Sequence, residues 1–243
     1  MLRHYWLLAL RNVRRAPFAT LVNVLTLSMG LACFVTAYAY VTFWQSAERY
    51  FTNADRIYAL SQIVTRQGDA APTLQPFTST QVAELVKADF PGLEKVARAI
   101  GVDNANGKTS VSSGERAVRL TGYGVDAEFL EIFALPFVAG SPRTALNAPG
   151  SVVLSTDSAA LLFGDASPVG RRLVIGNAVE ATVTGVVAPI PPPSHMGSVA
   201  EAGVALGFEF LASMDVRQAL YESTLPPNAR PSTGWFSGGV AFT

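Results

Sequence analysis

The 243-residue chain is 49% hydrophobic and only 15% charged, with 18 basic and 18 acidic side chains. That is too apolar and too weakly charged for a disordered chain, and it leaves enough material for one or two packed domains. The zero net charge hides an asymmetry. Residues 1–47 hold Arg3, Arg11, Arg14 and Arg15 and no acid, so the remainder carries 14 basic and 18 acidic residues, a balance of −4. An acidic main domain gives no footing to nucleic acid, and no nucleic-acid partner is expected.

Residues 1–17 space Trp6, Leu10 and Val13 on one helical face with arginines elsewhere, as expected for a cytoplasmic amphipathic segment lying in the inner leaflet. No charge occurs from Ala16 to Ala47, and Phe18–Trp44 is long enough, at 1.5 Å per residue, to cross a hydrocarbon core of about 30 Å. Residues 18–44 are therefore expected to be a transmembrane helix. Tyr38, Tyr40, Trp44 and Tyr50 suit the interface at its C-terminal end. A signal peptide has an apolar core of about 7–15 residues and a small-residue cleavage site, neither of which fits here. Arginines before the span predict a cytoplasmic N-terminus and an extracytoplasmic domain over 48–243. The one cysteine, Cys33, lies within the span, so that domain has no disulfide and must stand on its core.

Beyond the span the pattern changes to short alternating segments. A strand is expected over 56–65, a loop over 66–78, and a helix from Thr78-Ser79-Thr80 to about Ala88, stopped by Pro91-Gly92. Further strands are expected at 96–102 and 116–125, separated by a turn-rich stretch, 103–115. A short helix begun by Asp126 runs to Phe133. Ser151–Ser155 reads as a buried strand, followed by a helix over 157–163 capped by Thr156 and ended by Gly164. Arg171–Ile175 and Glu180–Val187 read as a hairpin across Gly176-Asn177. An extended loop (189–195), an apolar run (204–210) and a closing strand (235–242) complete the chain. This order predicts an α+β domain of two lobes, roughly 55–125 with 200–243, and 126–199.

Reactive chemistry is hard to find. There is no phosphate-binding G-x-x-x-x-G-K-[ST] and no G-x-G-x-x-G. Gly122-Tyr123-Gly124 lies inside a strand pattern, where it marks a bulge or close packing. Ser155, Asp157 and His195 make a hydrolase triad on paper only, since Ser155 lacks the G-x-S-x-G elbow and sits where a strand ends and a helix begins. A single cysteine with His4 and His195 far apart cannot make a zinc cluster. Pro191-Pro192-Pro193 reads as a rigid turn before it reads as a polyproline ligand. No catalytic, cofactor-binding or metal-ligating residue is expected, no cofactor, and no enzymatic activity.

Several segments, in order, resemble the MacB-like periplasmic core domain of ABC transporter permeases, in the FtsX-like permease superfamily. Arg11, Asn12 and Arg15, then Asn23, Leu27 and Gly30, fit that family's amphipathic opening and first span. Phe51-Thr52-Asn53-Ala54-Asp55-Arg56-Ile57-Tyr58 is similar to its "F-x-n-x-d-r-I-Y", and Phe90-Pro91-Gly92-Leu93-Glu94 to its turn after the first helix. Val125–Phe133 resembles "v-D-p-d-F-F-d-i-F", and Ser151–Ser155, Ala160, Phe163-Gly164 and Pro168-Val169-Gly170 resemble "v-v-l-S … A … l-F-G … d-p-l-G". Val183–Val187 and Pro193-Ser194-His195-Met196 are similar to "V-t-G-V … P-x-n-S-H". Gln45–Tyr50 departs from the family's acid-rich segment after the first span.

The resemblance implies a non-catalytic permease subunit in the bacterial inner membrane, working with a cytoplasmic ABC ATPase while its outer domain relays motion to a substrate or partner. The family continues into three more spans and a coupling loop that are expected to be missing here, leaving a permease without its C-terminal half. A homodimer is expected, with Gly30, Ala32 and Ala37 near the interface between spans. The alternative is a stand-alone, single-span extracytoplasmic sensor or adaptor.

Overall fold

The computed structural model describes residues 11, 13–65, 71–75, 78–102, 108–191, 193–194, 196–197, 206–226 and 237–242. The chain divides into two compact units, Met1–Ala47 and Glu48–Thr243. The first is dominated by helix α1, Pro17–Gln45, of 29 residues, with Pro17 at its first turn and no buried side chain. Among the described residues it is the one helix long and apolar enough to cross a membrane. Valines, threonines and aromatics are indifferent helix formers in water. In lipid, however, each backbone polar group must be satisfied within the segment. Its hydroxyls follow the same rule: Thr20, Thr26 and Thr36 donate to the carbonyls of Ala16, Val22 and Ala32, four residues back, at 2.8–3.0 Å.

The second unit is α+β. In chain order its strands and helices are β1 (Tyr58–Ala59), β2 (Gln62–Val64), β3 (Thr73–Gln75), β4 (Thr78–Ser79), α2 (Val82–Asp89), β5 (Val96–Gly101), β6 (Thr109–Ser113), β7 (Arg116–Leu120), β8 (Gly122–Val125) and α3 (Glu128–Ile132). There follow β9 (Phe137–Ala139), β10 (Ser151–Ser155), α4 (Thr156–Phe163), β11 (Arg172–Ile175) and β12 (Val179–Val187). The last are β13 (Met196–Gly197), β14 (Leu206–Gly207), β15 (Phe210–Ser213), α5 (Met214–Ser223) and β16 (Ser237–Phe242). One mixed sheet runs β1-β16-β5-β8-β15-β10-β12-β11-β6-β7, with β4 beside β16 and β9 beside β12. Late strand β15 joins the two halves: it pairs parallel with β8 and antiparallel with β10.

Alternation along the strands puts the core on both faces of this sheet. Val152, Leu154, Phe210 and Ala212 turn toward α4 and α5, where Leu162, Phe163, Val216 and Leu220 cover them. Val153, Leu211, Ala99 and Val125 turn the other way, under Phe129, Leu130 and Ile132 of α3. A smaller cluster seats Ala83 of α2 on Val96.

Several expectations need correction. Segment 56–65 is two pieces: β1 pairs with β16 in the main sheet, whereas β2 forms a separate ribbon with β3. Segment 116–125 breaks at Thr121 into β7 and β8. The stretch expected as turns, 103–115, contains β6, whose Ser110 and Ser112 flank a single buried Val111. Thr78 and Ser79 extend a strand instead of capping α2, whose N-cap is Gln81 with no side-chain capping bond. Ser155, not Thr156, caps α4 by accepting the Ser158 N–H at 3.2 Å. Asp126 does not cap α3 either, because Arg98 claims its carboxylate. Helix α5 was not expected at all. The hairpin agrees: Gly176 and Asn177 take φ of 62° and 58°, the left-handed pair that a tight hairpin needs. β6 and β7, although early in the chain, extend the sheet beside β11, across the expected division into lobes.

Candidate functional site

The contacts of Glu48, at the start of the second unit, form the best-defined candidate site. After α1 ends at Gln45 the apolar run gives way to Ser46–Tyr50, and Ser46 closes the helix by giving its N–H to Thr42 and Phe43. Glu48 then takes φ of 64°. A glutamate gains nothing locally in that left-handed region, which costs about 1 kcal/mol or more for a residue with a Cβ. Tertiary contacts offset the strain. The Glu48 N–H donates to the Pro193 carbonyl at 3.3 Å, and the Ser194 hydroxyl donates to its carboxylate at 2.9 Å. Ser194 is only 5% exposed, and its oxygen also accepts the Met196 N–H at 3.0 Å. The Glu48 carbonyl in turn accepts the Phe51 N–H at 3.0 Å.

Phe51 fixes the next point of the chain. It is 4% exposed and meets Phe133 edge-on with ring centroids 5.6 Å apart, in the cluster that includes Phe129, Ile190 and Met196. Glu48 thus stands between a buried aromatic peg and the loop that follows β12. Ile190 and Met196 of that loop belong to the same core, so the start of the second unit is held within it.

A second set of contacts lies around α3 and the start of β5. The Arg98 guanidinium forks onto Asp126 through Nε and Nη2 at 2.8 Å, and the Arg98 N–H donates to the same carboxylate at 2.9 Å. This charged hydrogen bond holds Arg98 above its ordinary pKa against the opposing effect of burial. Lys95 pairs with Glu131 and lowers the pKa of that exposed carboxyl, and Arg56 pairs with Glu94. The Arg98 and Lys95 pairs link β5 and the residue before it to Asp126 and α3, while the Arg56 pair reaches the turn before β5. They assemble no nucleophile with a base, and their geometry is that of a clamp.

The residues singled out in the sequence are scattered or structural. Ser155 is spent on the α4 cap and on the Ser158 hydroxyl at 2.9 Å, and Asp157 points to solvent from the first turn of α4. His195 and Pro192 lie outside the described residues. Gly122 and Gly124 mark close packing: a Cβ on Gly122 would lie 2.0 Å from Phe210 Cζ, and one on Gly124 would lie 2.4 Å from Arg217 Cβ. Arg217, buried over that second glycine and 5.4 Å from the Tyr221 ring centroid, is held below its ordinary pKa by desolvation. Among the described residues no group of three histidine, cysteine or acidic side chains could hold a metal. The sequence reading missed the Glu48 contacts. Their signals were Glu48, an acid immediately after the span, and Ser194, inside the Pro193–Met196 motif.

The chain thus combines a long apolar helix with a mixed α+β sheet domain. The family description "MacB-like periplasmic core domain" matches residues 20–228, and the chain belongs to that family. A solved domain of a protein assigned as a permease, from Porphyromonas gingivalis, shares the fold at 20% identity and a TM-score of 0.55, covering 79% of this chain and 75% of that one. The periplasmic region of MacB from Actinobacillus actinomycetemcomitans aligns at 12% identity and 0.49, over 80% of this chain and 76% of the other. The extracellular domain of the noncanonic ABC-type transporter YknZ from Gram-positive bacteria aligns at 13% and 0.48, over 76% and 83%. No curated protein matches the sequence.

Proposed function

We infer that the chain is a non-catalytic permease component of an ABC-type export or mechanotransmission system, anchored in the bacterial inner membrane by α1. The observation that carries this reading is the family match from residue 20, inside the spanning helix, through residue 228. Arg11, Arg14 and Arg15 before the helix, with no acid until Glu48, support a cytoplasmic N-terminus and an extracytoplasmic domain. In this reading a cytoplasmic ATPase moves the membrane part, and the outer domain relays the motion to a substrate or partner. A homodimer with Gly30, Ala32 and Ala37 near the contact between spans fits the same scheme. The alternative of a stand-alone sensor has no observation of its own.

Two measurements test the reading. Alkaline phosphatase fused after Thr243 is expected to be active, and fused after Arg15 inactive; the opposite pattern would overturn the orientation. The purified chain in liposomes is expected to release no phosphate from ATP above the empty-vesicle rate. Intrinsic turnover would place the protein in another class.

A further inference from the structure

We propose that the outer edge of β7 is a docking strand for an extended acidic segment of a partner protein, which adds to the sheet beside it. The proposal goes beyond the permease reading and does not depend on it, because it rests on one hairpin of the second unit. β7 ends the path of the main sheet, and among the described residues it pairs only with β6. Ser113 and Arg116 flank the two-residue turn of that hairpin, Gly114-Glu115. Across a turn of that length the flanking residues bond to each other, and backbone groups then point inward and outward at alternate positions. Arg116, Val118 and Leu120 thus bond to β6, whereas Ala117 and Arg119 turn their N–H and C=O away from it. The facing strand agrees. The carbonyl of Ser110, the partner of Arg119, accepts the Gly176 N–H at 2.8 Å on the side away from β7. Arg116, Ala117 and Arg119 are all exposed, so the edge is open to solvent.

Charge selects the occupant. The second unit carries a net −4, yet its hairpin over 108–120 holds Lys108, Arg116 and Arg119 against the single acid Glu115. Val118 and Leu120 face the core beneath α4, so alternation puts Arg116 on that face of the edge and Arg119 on the other. Arg116 lies against Gly164, with Nη1 3.3 Å from the place a Cβ there would take. Arg119 is held beside the strand by donating from Nη2 to the Lys108 carbonyl at 2.9 Å, a bond that uses one of the five N–H donors of a guanidinium. Basic side chains on an edge strand keep like edges apart. Pairing β7 with a second copy of itself would line four arginines along one short seam. An acidic strand meets the opposite condition, and it fits best with carboxylates three positions apart, one on each face.

The test is binding of a short synthetic peptide, alternating valine and threonine with two glutamates three positions apart, to the full chain in phosphatidylcholine nanodiscs. Fluorescence anisotropy should show binding, and exchange of the Ala117 and Arg119 amides should slow by about tenfold or more in its presence. The Val118 amide, already bonded within the hairpin, should keep its rate. Ala117→Pro removes an outward N–H and spares the β6 ladder, and it should weaken binding by about fivefold or more, as should Arg119→Glu. Should either variant fail to fold, two altered peptides on the wild-type chain decide the matter. One has lysines in place of the glutamates and the other is methylated on its backbone nitrogens; both should lose binding. Absence of binding by the acidic peptide, binding that leaves Ala117 and Arg119 unprotected, or equal binding by the methylated copy would overturn the proposal. Recruitment of phosphatidylglycerol vesicles by this edge without peptide binding would overturn it too, as a lipid contact. A wrong permease reading would show in the ATP and phosphatase measurements and leave these results intact.

Discussion

Phe129→Ala is expected to lower the midpoint of thermal unfolding by roughly 10 °C, measured by circular dichroism on the detergent-solubilised chain. Phe129 is 2% exposed in a helix of five residues, too short to stand on backbone hydrogen bonding alone. Its ring lies 4.6 Å from that of Phe133, which meets Phe51 in turn. Truncating a buried phenylalanine costs about 3–5 kcal/mol, a large part of a domain stability of about 5–15 kcal/mol. The loss should also loosen Phe51, and with it the chain that comes from the anchor. A midpoint within a degree or so of wild type would mean that α3 is a removable cover and not a wall of the core.

The second large effect is expected at Gly122. Building a Cβ there puts it 2.0, 2.2 and 2.4 Å from three atoms of the Phe210 ring, and Phe210 has no exposed surface into which to retreat. Gly122→Ala should therefore cost about 1–3 kcal/mol or more through overpacking, despite adding only one methyl group. The clash is with one side chain, so the cost should be conditional. In a Phe210→Leu background the same substitution should cost clearly less, a coupling that a double-mutant cycle in urea would measure. Equal costs in both backgrounds would show that the glycine is needed for its backbone and not for its lack of a side chain.

What the sequence made legible follows from how local each cause is. The strand at 151–155 and the hairpin around Gly176-Asn177 were readable because burial on both faces and paired left-handed turn residues leave marks in neighbouring positions. The spanning helix was readable because lipid imposes composition over its whole length. Helix α5 was hidden. Its buried face carries Arg217 between Val216 and Leu220, and a buried guanidinium, admitted by the missing side chain of Gly124, breaks the apolar rhythm. β6 was hidden because only Val111 is fully buried in it, so its serines read as a loop. Asp126 looked like a cap until Arg98, 28 residues earlier, was brought beside it. At Glu48 the residue type gave no sign of left-handed geometry, because its contacts include Pro193 and Ser194, far along the chain.

The position of β15 has a consequence for biogenesis. Residues 210–213 fill the gap between β8, which ends at Val125, and β10, which begins at Ser151. A polypeptide made from its N-terminus delivers both flanking strands long before the one that joins them. During that interval β8 and β10 each present an unpaired, apolar edge, the condition under which nascent sheets stick to one another. Closure is thus a late event, with β8 and β15 partners 88 residues apart in sequence, and non-local pairing of that kind folds slowly. Holdase chaperones would have their main work on this protein before residue 210 emerges, and a ribosome stalled short of that point would leave two half-sheets without the strand that joins them.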